Sequence, residues 1–236
     1  MTGKLPRIPA IQVALDFIRL EDALRVAQQV VVSDRIILEV GTPLIKSEGI
    51  RSVSILRSLF PETPILADMK TMDTGYLEAQ LAFDAGADIV SVLGAADNTT
   101  IAEALRKAIE ANKLVQVDMI SVNDVVSRAL EVKSLGAHII GVHAGIDMQT
   151  GRKLRAVDLS GVLRDLKNVI GENTLISIAG GVKPDEVGEL VSAGADIVVI
   201  GAAVTRSSDP RREILEALRS LEATHSDQYK KKHSRT

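Results

Sequence analysis

The chain has no cysteine and no tryptophan, and aromatic residues make up only 2% of its 236 positions. The missing cysteines exclude disulfides, thiolate metal sites and cysteine nucleophiles. The scarcity of aromatics leaves an aliphatic core of Ala, Val, Ile and Leu. A strongly basic field is absent too: 28 Lys and Arg face 31 Asp and Glu, a net charge of −3. That balance argues against a nucleic-acid partner. No apolar run approaches the roughly 18 residues of a membrane span, so no membrane partner is expected. Behind Met1-Thr2-Gly3-Lys4-Leu5-Pro6-Arg7 there is no apolar stretch of the secretory kind. A soluble, cytoplasmic protein is the expectation. The 46% hydrophobic and 25% charged residues are globular proportions, and the length suits one large domain or two small ones.

What the chain does have is a rhythm. Short β-branched runs alternate with longer segments of helical period, the signature of βα units on a parallel sheet. Strands are predicted at 11–15, 35–39, 64–68, 88–93, 114–118, 138–143, 175–179 and 196–200, each followed by a helical segment. Eight such units predict a (β/α)8 TIM barrel, a single domain over 1–224. A doubly wound sheet would call for a Gly-rich turn after the first strand, and Leu15-Asp16-Phe17-Ile18 holds no glycine. Residues 225–236 are polar, include Lys230-Lys231-Lys232, and are expected to form a disordered tail.

An internal repeat supports the barrel. Ala85-Gly86-Ala87-Asp88-Ile89-Val90, Leu135-Gly136-Ala137-His138-Ile139-Ile140 and Ala193-Gly194-Ala195-Asp196-Ile197-Val198 each join a helix end to a strand. Glycine there can stop a helix in the left-handed conformation. These phrases lie at the N-terminal strand ends, the face that serves stability, so His138 is given no chemistry.

Chemistry in such barrels gathers at the C-terminal strand ends. Here the strands run out into Asp16, Glu39, Asp68, Asp118 and His143, while strands seven and eight run into Gly180-Gly181 and Gly201. A lone Asp at a strand end is usually a helix cap; five reactive ends on one face are harder to dismiss. Asp68 and Lys70 should share a face by strand alternation, with Asp73 three residues on. Flanked by carboxylates, Lys70 should stay protonated, suited to stabilising a developing oxyanion rather than forming a Schiff base. Glu39 and Asp68 offer hard oxygen ligands for Mg2+ or Mn2+. His143 can move protons near neutral pH. The glycine turns Gly180-Gly181 and Gly201-Ala202 suggest a phosphate site, hence a small phosphorylated substrate.

These residues together carry a resemblance. Leu15-Asp16, Glu39-Val40-Gly41-Thr42-Pro43-Leu44-Ile45, Ala67-Asp68-Met69-Lys70-Thr71-Met72-Asp73, Val92-Leu93-Gly94-Ala95-Ala96-Asp97, His143-Ala144-Gly145-Ile146-Asp147-Met148-Gln149 and Ala179-Gly180-Gly181 resemble the orotidine 5′-phosphate decarboxylase suprafamily. Within it they are most similar to the archaeal branch of the hexulose-phosphate synthase family, over about residues 8–219. The resemblance implies a Mg2+-dependent aldolase that reversibly condenses D-ribulose 5-phosphate with formaldehyde through a 1,2-enediolate. It implies Glu39 and Asp68 as metal ligands, Lys70 as stabiliser of the enediolate and His143 as acid–base group. Asp16 would position Lys70 or a substrate hydroxyl. The family is an obligate homodimer, which implies that Asp73 reaches the neighbouring subunit's site. Gly180, Gly181, Gly201 and Ala202 fall at phosphate-binding positions, although some relatives carry Arg where Ala202 stands. Two alternatives remain. The related 3-keto-L-gulonate 6-phosphate decarboxylases typically have Arg directly after the strand-six histidine, where this chain has Ala144. A sugar-phosphate-binding barrel without catalysis is the other.

Overall fold

Eight parallel strands hydrogen-bond in sequence order, and the eighth pairs with the first to close a barrel. The structure, a computed structural model, describes residues 5–233, the side chains of 148, 152 and 225–233 excepted. The strands are β1 (Ala10–Leu15), β2 (Ile36–Val40), β3 (Ile65–Thr71), β4 (Ile89–Leu93), β5 (Leu114–Asp118), β6 (Ile139–His143), β7 (Leu175–Ala179) and β8 (Ile197–Ile200). Each agrees with its predicted position to within about a residue, except that β3 runs three residues further. The helices are α1 (Leu20–Val30), α2 (Thr42–Glu48), α3 (Arg51–Leu59), α4 (Gly75–Asp84), α5 (Asn98–Ala111), α6 (Val125–Ser134), α7 (Ile146–Arg152), α8 (Ser160–Ile170), α9 (Val187–Ser192), α10 (Ala202–Thr205) and α11 (Pro210–His233). The backbone of α11 thus continues to His233 through much of the segment expected to be a tail. Residues 234–236 lie outside the described residues. Among the described residues no helix is long and apolar enough to cross a membrane.

Both faces of the strands are covered, which is why they read as nearly continuous apolar runs. The outward residues, such as Val13, Leu38, Val90, Val117, Ile140 and Ile178, pack against the helix ring. The inward residues change character along the barrel axis. At the N-terminal end Ala10, Ile37, Leu66, Ile89, Leu114, Ile139 and Ile197 form a closed apolar floor. Towards the C-terminal end Gln12, Glu39, Asp68, Ser91, Gln116, Asp118 and Ser177 are buried polar groups. With almost no aromatics available, the floor fills with branched aliphatic layers, a common solution inside such barrels.

The repeated phrases are structural, as expected. Gly86, Gly136 and Gly194 take φ of +104°, +102° and +118° at helix ends. The next residue but one then stitches its strand to the strand before it. Asp88 Oδ2 accepts from Ile65 N at 3.1 Å, His138 Nδ1 from Val115 N at 3.1 Å, and Asp196 Oδ2 from Ile176 N at 2.9 Å. Asp88 also pairs with Arg57 and Lys113, and Asp196 with Lys167. The bottom of the sheet is thereby tied by side chain as well as backbone.

Candidate active site

The mouth of the barrel is organised around an irregularity in β3. Ala67 pairs with Val90 and Thr71 with Val92, four residue steps against two. This bulge puts Lys70 at φ +47°, a conformation that costs a non-glycine residue of order 1 kcal/mol or more and tends to occur at functional sites. Ser91, fully buried on β4, fills the gap: its Oγ accepts from Lys70 N at 2.9 Å and donates to Asp68 Oδ1 at 2.7 Å. The Lys70 side chain turns back over the mouth, where its Nζ lies 2.7 Å from Asp68 Oδ2 and 3.2 Å from Asp118 Oδ2. Alternation along a strand had predicted that Asp68 and Lys70 share a face. They do meet, but across a bulge pinned by Ser91. Burial on its own would lower the ammonium's pKa; the Asp68 and Asp118 carboxylates outweigh it and hold the pKa above the usual lysine value.

Asp118 also links Lys70 to His143. Its Oδ2 is 2.9 Å and its Oδ1 3.1 Å from His143 Nδ1, and Oδ1 takes the backbone N–H of Ile120 at 2.9 Å. Burial would raise the Asp118 carboxyl, but the hydrogen bond and charge of His143 and the Lys70 ammonium hold it below its ordinary value. An ionised carboxylate can only accept, so in the neutral imidazole this contact assigns the proton to Nδ1. Nε2 is left with its lone pair. Sequence reasoning noted Asp118 as one of several acidic strand ends and gave it no role. The signal was available in the register, which sets Asp118 opposite Gly141, two residues before His143.

Glu39 stands across the mouth on β2. Gln12 Nε2 donates to its Oε2 at 2.7 Å, and burial together with the Asp68 and Asp16 charges raises the Glu39 carboxyl well above its ordinary pKa. Thr42 Oγ1 lies 2.8 Å from both the backbone oxygen and Oδ2 of Asp68. Asp16 follows β1 at the rim. Surrounding protein and the Asp68 charge raise its carboxyl, although the residue itself opens to solvent. Room for it comes from Gly41, where a Cβ would lie 2.1 Å from Asp16 Oδ1. No hydrogen bond joins Asp16 to Lys70; Asp68 and Asp118 hold the ammonium instead. Asp16, Glu39, Asp68 and Asp118 therefore crowd four carboxyl groups around one lysine. Among the described residues no three His, Cys, Asp or Glu side chains form a metal cage by themselves. A hard cation would fit the oxygen donors of Glu39 and Asp68 and would relieve the repulsion that the raised Glu39 carboxyl registers.

The other side of the mouth carries little charge. Gly180 and Gly181 follow β7 at φ +123° and +65°. A Cβ on Gly180 would sit 2.5 Å from Ala144 O, so the β6 and β7 loops can approach only because glycine is there. Gly201 precedes the single turn of α10, where Ala202 begins. A Cβ at Gly201 would meet only ordinary contacts, Ala14 Cβ at 3.7 Å and Asp16 Oδ2 at 3.8 Å. Asp73 stands apart from these groups. It is exposed, and its Oδ1 accepts from Thr74 N at 2.7 Å just ahead of α4. Exposed Met72, Leu77 and Leu81 neighbour it in sequence. Sequence reasoning finds Asp118 at a strand end but misses Gln12, Thr42 and Ser91 as site residues, since their polar side chains sit within strands or helix starts that otherwise read as core.

Comparison with known proteins places the chain among relatives. The model of the Orotidine 5'-phosphate decarboxylase / HUMPS family matches residues 9–217. The chain is 43% identical over 201 residues to 3-hexulose-6-phosphate synthase of Methylomonas aminofaciens, covering 84% of this chain and 92% of that one. It is 43% identical over 202 residues to the synthase of Mycobacterium gastri, covering 85% and 93%. A crystal structure of 3-hexulose-6-phosphate synthase superposes with a TM-score of 0.84 at 39% identity, covering 90% of this chain and 99% of that one. The structure of 3-keto-L-gulonate-6-phosphate decarboxylase from Vibrio cholerae superposes at 0.80 with 29% identity, covering 92% and 99%.

Proposed function

Because the chain belongs to the orotidine 5′-phosphate decarboxylase / HUMPS family and aligns over most of its length with 3-hexulose-6-phosphate synthases, we propose that it is a lyase with that activity. It condenses D-ribulose 5-phosphate with formaldehyde, reversibly, to D-arabino-3-hexulose 6-phosphate. The observation that carries this reading is the chain of contacts from Asp68 through Lys70 and Asp118 to His143. It links, through one carboxylate, an ammonium held protonated to an imidazole whose Nε2 keeps its lone pair.

Glu39 and Asp68 are the residues that would hold Mg2+ or Mn2+, which would supply positive charge to the oxygens of the bound sugar. His143, oriented by Asp118, takes a proton from C1 through Nε2. The charge left on the enediolate oxygens is met by the Lys70 ammonium, already in place and held protonated by two carboxylates. Such a group stabilises the transition state more than the ground state, because the charge it faces appears only as the proton leaves. The enediolate carbon then bonds to the formaldehyde carbon, and the new alkoxide takes back the proton held on His143 Nε2. Asp16, at the rim and unbonded to Lys70, is placed to orient a substrate hydroxyl. The backbone at Gly180, Gly181, Gly201 and Ala202 takes the phosphate.

Asp73 completes the site of a second copy in a homodimer, in keeping with its exposure. Lys70→Ala should abolish formaldehyde-dependent turnover while ribulose 5-phosphate binding survives. Unchanged turnover, or turnover of 3-keto-L-gulonate 6-phosphate in place of the condensation, would overturn the assignment. Mixing Asp73→Ala with His143→Ala protein should restore part of the activity through mixed dimers. No recovery, once subunit exchange has been demonstrated, would remove Asp73 from the neighbouring site.

A further inference from the structure

The segment between α7 and α8 makes an arrangement that the reaction scheme above does not use. Ala156 N donates to Gly180 O at 2.7 Å. The Arg155 guanidinium donates to Gly181 O through Nη2 at 2.7 Å and Nε at 3.2 Å. Both carbonyls of the Gly180-Gly181 turn are therefore held from one side by two consecutive residues. In a trans planar peptide the N–H that follows a carbonyl points the opposite way, and neither peptide is cis. Fixing Gly180 O fixes the direction of Gly181 N–H, and fixing Gly181 O fixes that of Val182 N–H. Neither of these N–H groups has a protein acceptor among the described residues.

We infer that Arg155 is a positioning residue for anion binding: by gripping Gly181 O it aims the free amide of Val182, beside the Gly181 amide that Ala156 N aims through Gly180 O. This rests on the reading that the Gly180-Gly181 turn receives the substrate phosphate. Arg155 acts through geometry, because its charge is already matched. Glu186 accepts from Nη2 at 2.8 and 2.6 Å through its two oxygens, and its Oε2 also takes Lys183 N at 2.9 Å. The loop is thus braced at both ends, Gly181 O by the guanidinium and Lys183 N by the carboxylate that holds the guanidinium. Two glycines at positive φ are the most pliant backbone on the rim, and the brace removes that freedom before the anion arrives. A preorganised donor pair binds more tightly than one that must be ordered on binding. The chain carries Ala202, which has no side-chain donor, so well-aimed amides matter the more.

The test titrates inorganic phosphate and ribulose 5-phosphate into wild-type, Arg155→Ala and Arg155→Lys protein by calorimetry, alongside steady-state kinetics. Arg155→Ala should weaken inorganic phosphate and raise the sugar-phosphate KM about tenfold, the effect of losing roughly one good hydrogen bond, with kcat within about twofold. Arg155→Lys, which can make one bond to Gly181 O but not the forked pair, should fall between. Should Arg155→Ala prove unstable, the lysine variant alone still carries the KM-against-kcat comparison. Unchanged phosphate affinity and KM in both variants would overturn the inference, as would loss of kcat at constant KM. Glu186→Gln keeps an acceptor while unmasking the guanidinium charge; several-fold tighter phosphate binding there would show that Arg155 acts by charge, and the positioning role would fall. Arg155-dependent phosphate binding by a protein with no formaldehyde-dependent turnover would uphold the inference while refuting the proposed function.

Discussion

One histidine immediately precedes β6 and another ends it, and the same ring atom does opposite work in them. At the floor His138 Nδ1 accepts a hydrogen bond from Val115 N, whereas at the mouth His143 Nδ1 faces the Asp118 carboxylate. Protonation of His138 would break the first contact. The same contrast runs through the whole barrel. Its floor is closed by seven buried aliphatic residues, and the buried Asp88 carboxylate beneath it is paired with Arg57 and Lys113. Its mouth buries carboxylates against one another, with Glu39 driven towards its neutral form and Gln12 Oε1 left without a partner. Uncompensated polar burial opposes folding. The lower half is built for stability, and the upper half tolerates instability for the sake of charge placed in advance.

Removing Asp118's charge should separate the halves most sharply. Asp118→Asn takes one carboxylate from Lys70 and the tautomer-setting partner from His143 at once. Turnover should fall by about 10²–10⁴-fold, the range seen when an acid–base residue loses its function, while the circular dichroism spectrum stays native. Activity within tenfold of wild type would mean that the two ends of β6 differ less than their contacts imply.

The floor histidine should show the reverse. His138→Ala strands the Val115 N–H and should cost about 1–2 kcal/mol of stability in denaturant unfolding, with kcat within about twofold. Its pH dependence has a definite sign. Burial depresses the His138 pKa in the folded protein below its ordinary 6.5, so its contribution is fully present above that value and is lost as pH falls through the folded pKa. The gap between wild type and variant should therefore be widest at pH 7–8 and close under mild acid. A gap that widened on acidification would show that His138 is charged in the fold.

The smallest of these effects is a gain. Glu39→Gln keeps the contact with Gln12 and removes a buried charge repelled by Asp68 and Asp16. Without divalent cations it should raise the melting temperature by a few degrees at neutral pH while turnover is lost. The raised Glu39 pKa means that the ionised form weakens the fold as pH rises above the ordinary glutamate range, so the advantage should shrink towards pH 4. Added Mg2+ should narrow it at neutral pH by stabilising wild type alone. A variant less stable than wild type throughout would show that the mouth is not under this electrostatic load.

Most of this architecture is legible along the chain because its causes are local. Eight apolar runs at regular spacing, and glycines at 86, 136 and 194 that end helices, predict the barrel and its polarity. The collection of Asp16, Glu39, Asp68 and His143 at one rim follows from polarity alone, since every strand in a parallel barrel presents its C-terminal end to the same face. The bonds between those groups do not follow, because they depend on neighbours in the sheet. Ser91 in the β3 bulge, Asp118 under both Lys70 and His143, and Arg155 against Gly181 each join residues 21 to 48 positions apart.

Periodicity, turn chemistry and residue type belong to short stretches of chain, so the amino-acid order alone settled the number of strands, their direction and which side chains reach the mouth. Hydrogen bonds form only at about 3 Å with the right angles, and separations that small between distant segments are set by register and loop path. Closure of the sheet therefore decided which carboxylate holds the lysine, which nitrogen of His143 is free, and which way the amides of the glycine turn point.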